Sequence, residues 1–347
     1  MQNEAEKRDI KSMLPEELER ELRELGQPAY RARQIFEWLS GGVASFGDMS
    51  NLPAALREDL GGRFYLTPPE LVLKRESERD GTQKYLWRLR DGESIESVVM
   101  RYESWNTVCI SSQAGCRMSC AFCASAIGGF KRNLTASEML DQVLCSERDS
   151  GDRVTNIVIM GIGEPLDNFD NVLRFLELVS HPKGRGIGMR HITISTCGLA
   201  ERIDKLGTYN LQLTLSVSLH APDDETRSRI MPVNRRYPIE RLTRAVKDYF
   251  MRTGRRVSFE YAMIDGVNDS PEQAESLAKL AASCHAHINL IRLNRVEESP
   301  LRPTDQSTMR VFESRLKAMG ANYSVRRRIG LDLDAACGQL RSSRQVL

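Results

Sequence analysis

The sequence predicts an α/β protein whose main part is a partial (β/α)6 barrel. Six short apolar segments typical of strands alternate with helical segments between residues 107 and 293. This alternation predicts a parallel sheet, and six units are too few to close an eight-stranded barrel. The hundred residues before this part follow different periods, first helical and then strictly alternating. Two smaller elements are therefore expected in front of the barrel.

The first element is a small helical module, predicted for residues 1–65. Leucines recur at helical spacing over residues 14–25, in a segment rich in Glu and Arg, and Gly26 is expected to end this helix. Residues 30–39 and 52–60 have the same periodicity and predict two further helices.

The second element is an antiparallel β extension, predicted for residues 66–105. Apolar and polar side chains alternate over residues 84–90, and Asp-Gly pairs at 80–81 and 91–92 are strong hairpin turns. We expect a meander that runs to about Tyr102.

The barrel itself is predicted for residues 106–300. Thr135 and Glu138 form a capping box at the start of one helix, and Pro238 and Pro271 suit first helical turns. The predicted strands are residues 107–112, 156–160, 191–195, 212–218, 257–263 and 287–293. Residues 301–347 predict a C-terminal helix and strand followed by a loop and a basic tail.

Composition and charge exclude several classes of protein. Of the 347 residues, 41% are hydrophobic and 28% charged, which is typical of a globular protein. No apolar run is long enough to span a bilayer, and the charged N-terminus is not a secretory signal. The net charge of +2 predicts no strong non-specific affinity for nucleic acid. Residues 301–347 carry nine basic against four acidic side chains, which indicates either a phosphate-binding surface or a solvated helix face with a frayed end.

The eight cysteines do not form the pattern of a small disulfide-bonded domain, so we expect reduced thiols. Cys116, Cys120 and Cys123 give the spacing C-x3-C-x2-C directly after the first predicted strand. Three such thiolates favour a soft metal site. A cubane iron–sulfur cluster would keep one iron open for a small ligand, whereas structural zinc would need a fourth ligand. The nearest candidates for that ligand are Cys109 and Cys145.

Polar residues follow the ends of the other predicted strands. Ligands bind at the carboxyl ends of parallel strands, so these residues are expected to share one site, although each alone is typical of a turn or a cap. They are Gly163, Glu164, Ser195, Ser218, Leu219, His220 and Asn294.

The cysteine spacing resembles that of the radical S-adenosylmethionine (SAM) superfamily, and longer motifs make the chain similar to the RlmN/Cfr family of radical SAM RNA adenine methyltransferases. The similarity runs from about Pro15 through Leu340. It implies a radical-SAM partial barrel. The matching segments are residues 30–35, 107–113, 128–134, 163–166, 218–221, 267–270 and 334–340.

The resemblance implies a reaction that uses two SAM molecules per turnover and one 4Fe–4S cluster. Cys337 takes a methyl group from the first SAM, and the second SAM yields a 5′-deoxyadenosyl radical that abstracts hydrogen from methyl-Cys337. The carbon radical then adds to an adenine of RNA. Cys109 attacks the sulfur of Cys337, which gives a transient disulfide, and Glu96 is the proton acceptor. The resemblance also implies that the seven strand-end residues contact SAM and that Cys116, Cys120 and Cys123 hold the cluster.

The expected substrate is C2 of an adenosine in 23S rRNA, with tRNA as a further candidate. We expect a cytoplasmic monomer without membrane contact that takes electrons from a donor such as flavodoxin or ferredoxin. Arg326, Arg327 and Arg328 are candidate RNA phosphate ligands, and Cys145, Cys197 and Cys284 are expected to be buried thiols.

Two alternatives remain open. Residue Leu331 is aliphatic, as in the C8-methylating antibiotic-resistance branch of the family, whereas the C2-methylating branch carries an acidic residue there. Residues 295–298 also depart from the family pattern. A non-catalytic iron–sulfur RNA-binding protein is the third hypothesis, and it gives no role to Cys109 or Cys337.

Overall fold

A computed structural model describes residues 7–327, 329–330, 332–333 and 338–340. Most of its strands belong to one sheet, in which an antiparallel extension continues into parallel barrel strands. All element bounds below refer to the described residues.

The N-terminal module contains the three helices that leucine periodicity predicts. The short strand β1 (Arg8–Asp9) precedes α1 (Pro15–Glu24), α2 (Tyr30–Ser40) and α3 (Ala54–Arg63), and it pairs in parallel with β2 (Phe64–Tyr65). The last helix begins and ends two to three residues later than expected.

A buried ion pair joins this module to the barrel. The ammonium of Lys11 lies 2.5 Å from the carboxylate of Asp141, and both side chains are at most 5% exposed. A charge that is buried without its partner is costly, so this pair fixes how the module docks.

The antiparallel extension consists of three strands. They are β3 (Glu70–Glu76), β4 (Gln83–Arg88) and β5 (Ser94–Arg101), and β5 pairs with the first barrel strand. The two Asp-Gly pairs lie between consecutive strands, and the glycines at 81 and 92 both have positive φ. This arrangement confirms the predicted meander.

Seven parallel strands form the barrel part of the sheet. The six predicted strands are present as β6 (Asn106–Cys109), β9 (Asn156–Ile159), β10 (Ile192–Thr196), β11 (Thr214–Ser218), β12 (Ser258–Met263) and β13 (His287–Arg292). A seventh strand, β14 (Tyr323–Val325), pairs with β13 and extends the sheet beyond the six predicted units; it lies in residues 301–347, where a C-terminal strand was predicted. The order from edge to edge is β14-β13-β12-β11-β10-β9-β6-β5-β4-β3, and β14 does not pair with β6 among the described residues. The barrel is therefore open between these two strands, as predicted.

Helices follow the barrel strands in the expected alternation. They are α4 (Ala136–Ser150), α5 (Phe169–Ser180), α6 (Ala200–Thr208), α7 (Asp224–Ile230), α8 (Ile239–Thr253), α9 (Pro271–Ser283) and α10 (Gln306–Ala318). A short antiparallel pair, β7 (Gln113–Ala114) and β8 (Arg132–Asn133), encloses the loop that carries the three spaced cysteines.

The cap predictions are confirmed at two of three helices. Thr135 and Glu138 form the capping box of α4, and Pro271 is the first residue of α9. Pro238 lies one position earlier than predicted, because it is the N-cap of α8 and its extended ψ of 161° places it before the first turn.

Alternate residues of the barrel strands face opposite sides of the sheet and pack into two separate apolar clusters. Val108, Ile110, Ile157 and their neighbours face the helices and form the main core, whereas Cys109 and Val98 face the inside of the barrel. None of the helices in the described part of the chain is long and apolar enough to cross a membrane.

Candidate active site

Two adjoining cavities open inside the barrel. The first cavity lies at the carboxyl ends of β9 to β13 and is walled on one side by the cysteine loop. The second cavity lies between β5 and β6 on one side and the ends of β13 and β14 on the other, at the opening of the sheet. They share the residues Met160, Ile291, Asn294 and Arg326.

The three spaced cysteines all line the first cavity. Backbone bonds shape their loop: the amide of Ala121 donates to Ile230 (2.9 Å), and that of Ala124 donates to Gly338 (2.7 Å). Burial raises the pKa of all three thiols, that of Cys116 to about 12. Because metal ligands must be thiolates, a bound cationic centre would have to stabilise three negative charges here.

The donor set fits a cluster better than a single ion. Structural zinc takes four protein ligands, whereas this loop supplies three thiols to the cavity. A zinc ion needs all its ligands within about 2.3 Å of one centre, whereas a cubane binds each thiolate at a different iron. Cys116, Cys120 and Cys123 therefore suit a 4Fe–4S cluster.

The glycine loop after β9 approaches β6 too closely for any side chain. A Cβ on Gly161 would lie 2.7 Å from the carbonyl oxygen of Ile110, and one on Gly163 would lie 2.6 Å from the Cβ of Gln113. Gly163 also has φ of 106°, in the region that favours glycine. With no side chains at these positions, the backbone of Gly161 and Gly163 lines the first cavity.

Glu164 lines the same cavity and is buried. Its Oε2 accepts from the amide of Cys197 (2.7 Å) and its Oε1 from the amide of Leu166 (3.0 Å). Burial raises its pKa, which opposes ionisation, while these backbone bonds favour the carboxylate. Each carboxylate oxygen has a second lone pair, so Glu164 can still accept from an ammonium group.

Four other predicted strand-end residues line the first cavity, and one does not. Ser195, Ser218, His220 and Asn294 are among its walls. The side chain of Leu219 is fully buried in the main core. Any contact of Leu219 with a ligand would therefore involve its backbone.

His220 is held as a neutral imidazole. Its Nδ1 accepts from the amide of Ala262 (2.9 Å), and burial lowers its pKa to about 3. The residue has φ of 56°, and the side chain of Asn268 donates to its carbonyl (2.7 Å). With Nδ1 occupied as an acceptor, Nε2 carries the proton and is the nitrogen that can donate to a ligand.

Cys109 lies in the second cavity, opposite Val98 in the β5–β6 register. Glu96 lies two residues before Val98 on β5, so it shares the face of Cys109 and is its diagonal neighbour. Its carboxylate lies 3.0 Å from the ammonium of Lys84. The register thus places the predicted proton acceptor on the same face as the predicted resolving cysteine, although Glu96 is not among the residues that line either cavity.

The C-terminal predictions fall partly outside the described residues. Cys337, Arg328 and Leu331 lie there. Gly338, which follows Cys337 in sequence, lines the first cavity, and Leu340 lines the second.

The two described arginines of the basic run occupy different places. Arg326 is directed into the barrel, where its guanidinium lies 3.4 Å from Oε1 of Glu260. Arg327 is exposed and lines the second cavity. A purely surface role in phosphate binding therefore suits Arg327 better than Arg326.

The cysteines described are free thiols, and the predicted transient disulfide has one partner, Cys337, outside the described residues. Cys145, Cys197 and Cys284 are buried, as predicted. Cys197 also lines the first cavity, which the sequence did not indicate.

Sequence reasoning missed two buried charged residues at this site. Arg227 is fully buried and donates to the carbonyls of Leu219 (3.1 Å) and Cys197 (2.7 Å), which ties two strand ends together. Its burial lowers its pKa. Glu260 on β12 lines the first cavity, and its Oε2 has no hydrogen-bond partner among the described residues. Neither residue belongs to a recognisable motif.

Comparisons with known proteins agree with this geometry. Residues 9–66 match the family model for the ribosomal RNA large subunit methyltransferase N-terminal domain, and residues 110–280 match that for the radical SAM superfamily. The probable dual-specificity RNA methyltransferase RlmN of Geobacillus kaustophilus is 47% identical over 337 residues, covering 96% of this chain and 92% of that protein. The corresponding Bacillus subtilis protein is 47% identical over 341 residues, covering 97% and 94%.

A solved structure is similar over the same length. The crystal structure of a radical SAM methyltransferase from Sphaerobacter thermophilus matches with a TM-score of 0.92 at 44% identity, covering 97% of this chain and 100% of that one. High identity over nearly the full length of both chains shows the family. The chain therefore belongs to the RlmN-type radical SAM methyltransferase family.

Proposed function

We propose that this methyltransferase transfers a methyl group to C2 of an adenosine in 23S rRNA, with a tRNA adenosine as a further substrate. The arrangement of the two cavities carries the proposal. Three cysteines suited to a cluster line the first cavity, and Cys109 lines the second, with Met160, Asn294 and Arg326 shared between them. Chemistry begun in one cavity can thus act on a substrate in the other.

Cofactor binding is assigned to the first cavity. Cys116, Cys120 and Cys123 would ligate one 4Fe–4S cluster, and Glu164 and neutral His220 would bind polar groups of SAM. When bound, the cluster and SAM supply a carbon radical that can abstract a hydrogen atom. This chemistry is needed because an aromatic C–H is neither acidic nor nucleophilic enough for ordinary methyl transfer. The remaining proposed SAM contacts are Gly163, Ser195, Ser218, the backbone of Leu219, and Asn294.

The cysteines are assigned separate tasks. Cys337 carries the methyl carbon, which becomes bonded to the adenine. The thiolate of Cys109 then attacks the sulfur of Cys337: a disulfide forms, the sulfur–carbon bond breaks, and the released carbon takes up a proton to become the methyl group. The unpaired electron of the radical adduct would return to the redox centre that supplied it, and an external thiol reductant would restore the two cysteines. Glu96, on the face of Cys109, accepts the proton lost from the adenine carbon. Two SAM molecules are consumed per turnover in this scheme.

Several further assignments follow from the proposed reaction. The substrate adenosine must leave its stack to reach the cavities. Reduction requires an external electron donor such as flavodoxin or ferredoxin. We expect a monomer that acts in the cytoplasm, where its ribosomal substrate is made.

The direct test is mass spectrometry of adenosines from 23S rRNA and tRNA after expression in a host without family members. We expect 2-methyladenosine from the wild type and none from Cys337→Ala. Cys284→Ala is the matched control, because Cys284 is buried away from both cavities and should leave the product unchanged.

Other products would support the alternatives. An 8-methyladenosine peak would place the protein in the C8-methylating branch, in agreement with the aliphatic residue Leu331. A cluster-loaded protein that binds RNA and methylates neither position, with Cys337→Ala indistinguishable from it, would favour a binding protein.

A further inference from the structure

A half-buried tyrosine and an exposed tryptophan form an aromatic pair at the far end of the second cavity. Tyr102 and Trp105 are the first and last residues of the turn between β5 and β6, and the amide of Tyr102 donates to the carbonyl of Trp105 (3.0 Å). Their rings are stacked, with centroids 5.2 Å apart and planes at 26°. Trp105 is 47% exposed, although it is one of three tryptophans in the chain and the largest type of side chain to leave in water.

The pair lies on the same strand faces as the catalytic region. Trp105, Thr107 and Cys109 alternate along one strand, and all three line the second cavity. Tyr102 in the turn and Met100 and Val98 on β5 form a matching column, with Met100 opposite Thr107 and Val98 opposite Cys109. The cavity is therefore a groove that runs from the Cys109 thiol to the aromatic pair.

The length of this groove exceeds one base. Cys109 lies four residues after Trp105, which corresponds to about 13 Å of extended chain. An adenine in reach of Cys109 would not also stack on Trp105. Tyr102 and Trp105 are instead in a position to contact a nucleotide next to that adenosine in the RNA strand.

The opposite wall of the groove is cationic. Arg292, Arg326 and Arg327 line it, and no acidic side chain of the described residues does. Glu103, which lies between Tyr102 and Trp105 in sequence, is exposed in the turn and is not among the residues that line the second cavity. Flat aromatic rings on one wall and guanidinium groups on the other suit a single-stranded polyanion with planar bases.

We propose that Tyr102 and Trp105 form a stacking platform for an unpaired base next to the target adenosine, with its phosphate held by Arg327. The proposal rests on the RNA methylation proposed above. Holding this neighbour fixes the strand, so that the target base alone enters the part of the cavity beside Cys109. Every base has a π-face, so such a platform tolerates more than one flanking sequence.

The test uses the reconstituted holoenzyme and a transcribed 23S rRNA stem–loop that contains the target adenosine in its loop. Trp105→Ala is expected to weaken RNA binding and raise the KM for RNA about tenfold, as loss of one base–aromatic stack does. Trp105→Phe keeps an aromatic ring and should restore most of the affinity. Tyr209→Ala is the matched control, because Tyr209 is 46% exposed but lies at the end of α6, away from the groove. SAM cleavage without RNA should be unchanged in all three variants.

An abasic RNA makes the assignment specific. Removing the base that flanks the adenosine should weaken binding to the wild type about tenfold but add little to the effect of Trp105→Ala, because both remove the same stack. Arg327→Ala should lower the slope of log Kd against log salt by about one. Additive effects of the abasic site and Trp105→Ala would overturn the platform, as would unchanged RNA affinity in folded Trp105→Ala. A wild type that neither binds nor methylates the RNA would overturn the proposed function itself.

Discussion

The two cavities differ in what holds their walls in place. Around the first cavity, fully buried side chains bind the carbonyls at the strand ends: Arg227 donates to Cys197 (2.7 Å) and Asn268 to His220 (2.7 Å). These bonds are shielded from water, and none of them depends on a ligand. The first cavity is therefore built in advance of its cofactors.

The second cavity depends on contacts between distant segments. Part of its wall comes from Arg326, Arg327, Ile329 and Leu340. The described residues near them are tied to the β3–β4 turn by Gly330 donating to Asp80 (2.9 Å) and by Ser77 donating to Asp332 (2.8 Å). Each such bond contributes about 1 kcal/mol. The contrast teaches that fully buried side chains at the strand ends hold the walls of the first cavity, whereas contacts between segments far apart in sequence hold part of the wall of the second.

The largest expected effect separates the two cavities by function. Cys120→Ala should abolish cluster assembly and with it all SAM cleavage. Cys109→Ala should retain the cluster and SAM cleavage but accumulate a covalent protein–RNA adduct, because no thiol remains to break the bond to the substrate. The measurements are visible absorption, 5′-deoxyadenosine formation, and denaturing gel electrophoresis with labelled RNA. Free protein alone from Cys109→Ala, beside an active wild type, would refute the resolving role.

Arg227→Met tests whether this buried side chain holds the strand ends around the first cavity in place. The substitution leaves several buried carbonyls without their donor, so we expect the free energy of unfolding to fall by about 3–5 kcal/mol. Chemical denaturation of the anaerobic protein measures this. Arg229→Met, on the exposed face of the same helix, should change stability by less than about 0.5 kcal/mol. Equal effects of the two substitutions would show that Arg227 does not hold the strand ends.

These contacts also show where sequence reasoning stops. The strands, the cysteine loop and the glycine turn were predictable because their signals are local: alternation, spacing, and a backbone approach that only glycine allows. A strand was predicted within residues 301–347, but β14 has three residues, of which two are exposed, so no hydrophobic pattern marked its bounds or its pairing with β13. Arg227 resembles a surface residue in sequence, because the carbonyls that make its burial favourable come from two other strand ends. Trp105 lies in a polar turn, and only the register of β5 and β6 places it on the face of Cys109.

His220, in the wall of the first cavity, makes the stability of the folded protein depend on pH. Its pKa is about 3 in the folded protein, below the value of about 6.5 for a free histidine, because it is buried. The unfolded chain therefore binds a proton that the folded protein does not, and stability is lost as pH falls from about 6.5 towards 3. The expected slope is up to about 1.4 kcal/mol per pH unit. Denaturation of the apoprotein across this range should show a shallower slope for His220→Gln. His285→Gln is the control and should keep the wild-type slope, because that side chain is exposed to solvent.

The smallest expected effect concerns the second cavity. In Asp80→Ala, the amide of Gly330 loses its acceptor, and the segment that leads to Cys337 loses one tie to the β3–β4 turn. We expect the methylation rate to fall about tenfold, which corresponds to about 1.4 kcal/mol, while SAM cleavage without RNA is unchanged. Asp80→Asn keeps an acceptor oxygen and should retain most of the rate. Because Asp80 also accepts from the amide of Thr82 (3.0 Å), a general loss of stability would lower SAM cleavage and methylation together. A selective loss of methylation would instead show that only the second cavity depends on the hydrogen bond between Gly330 and Asp80.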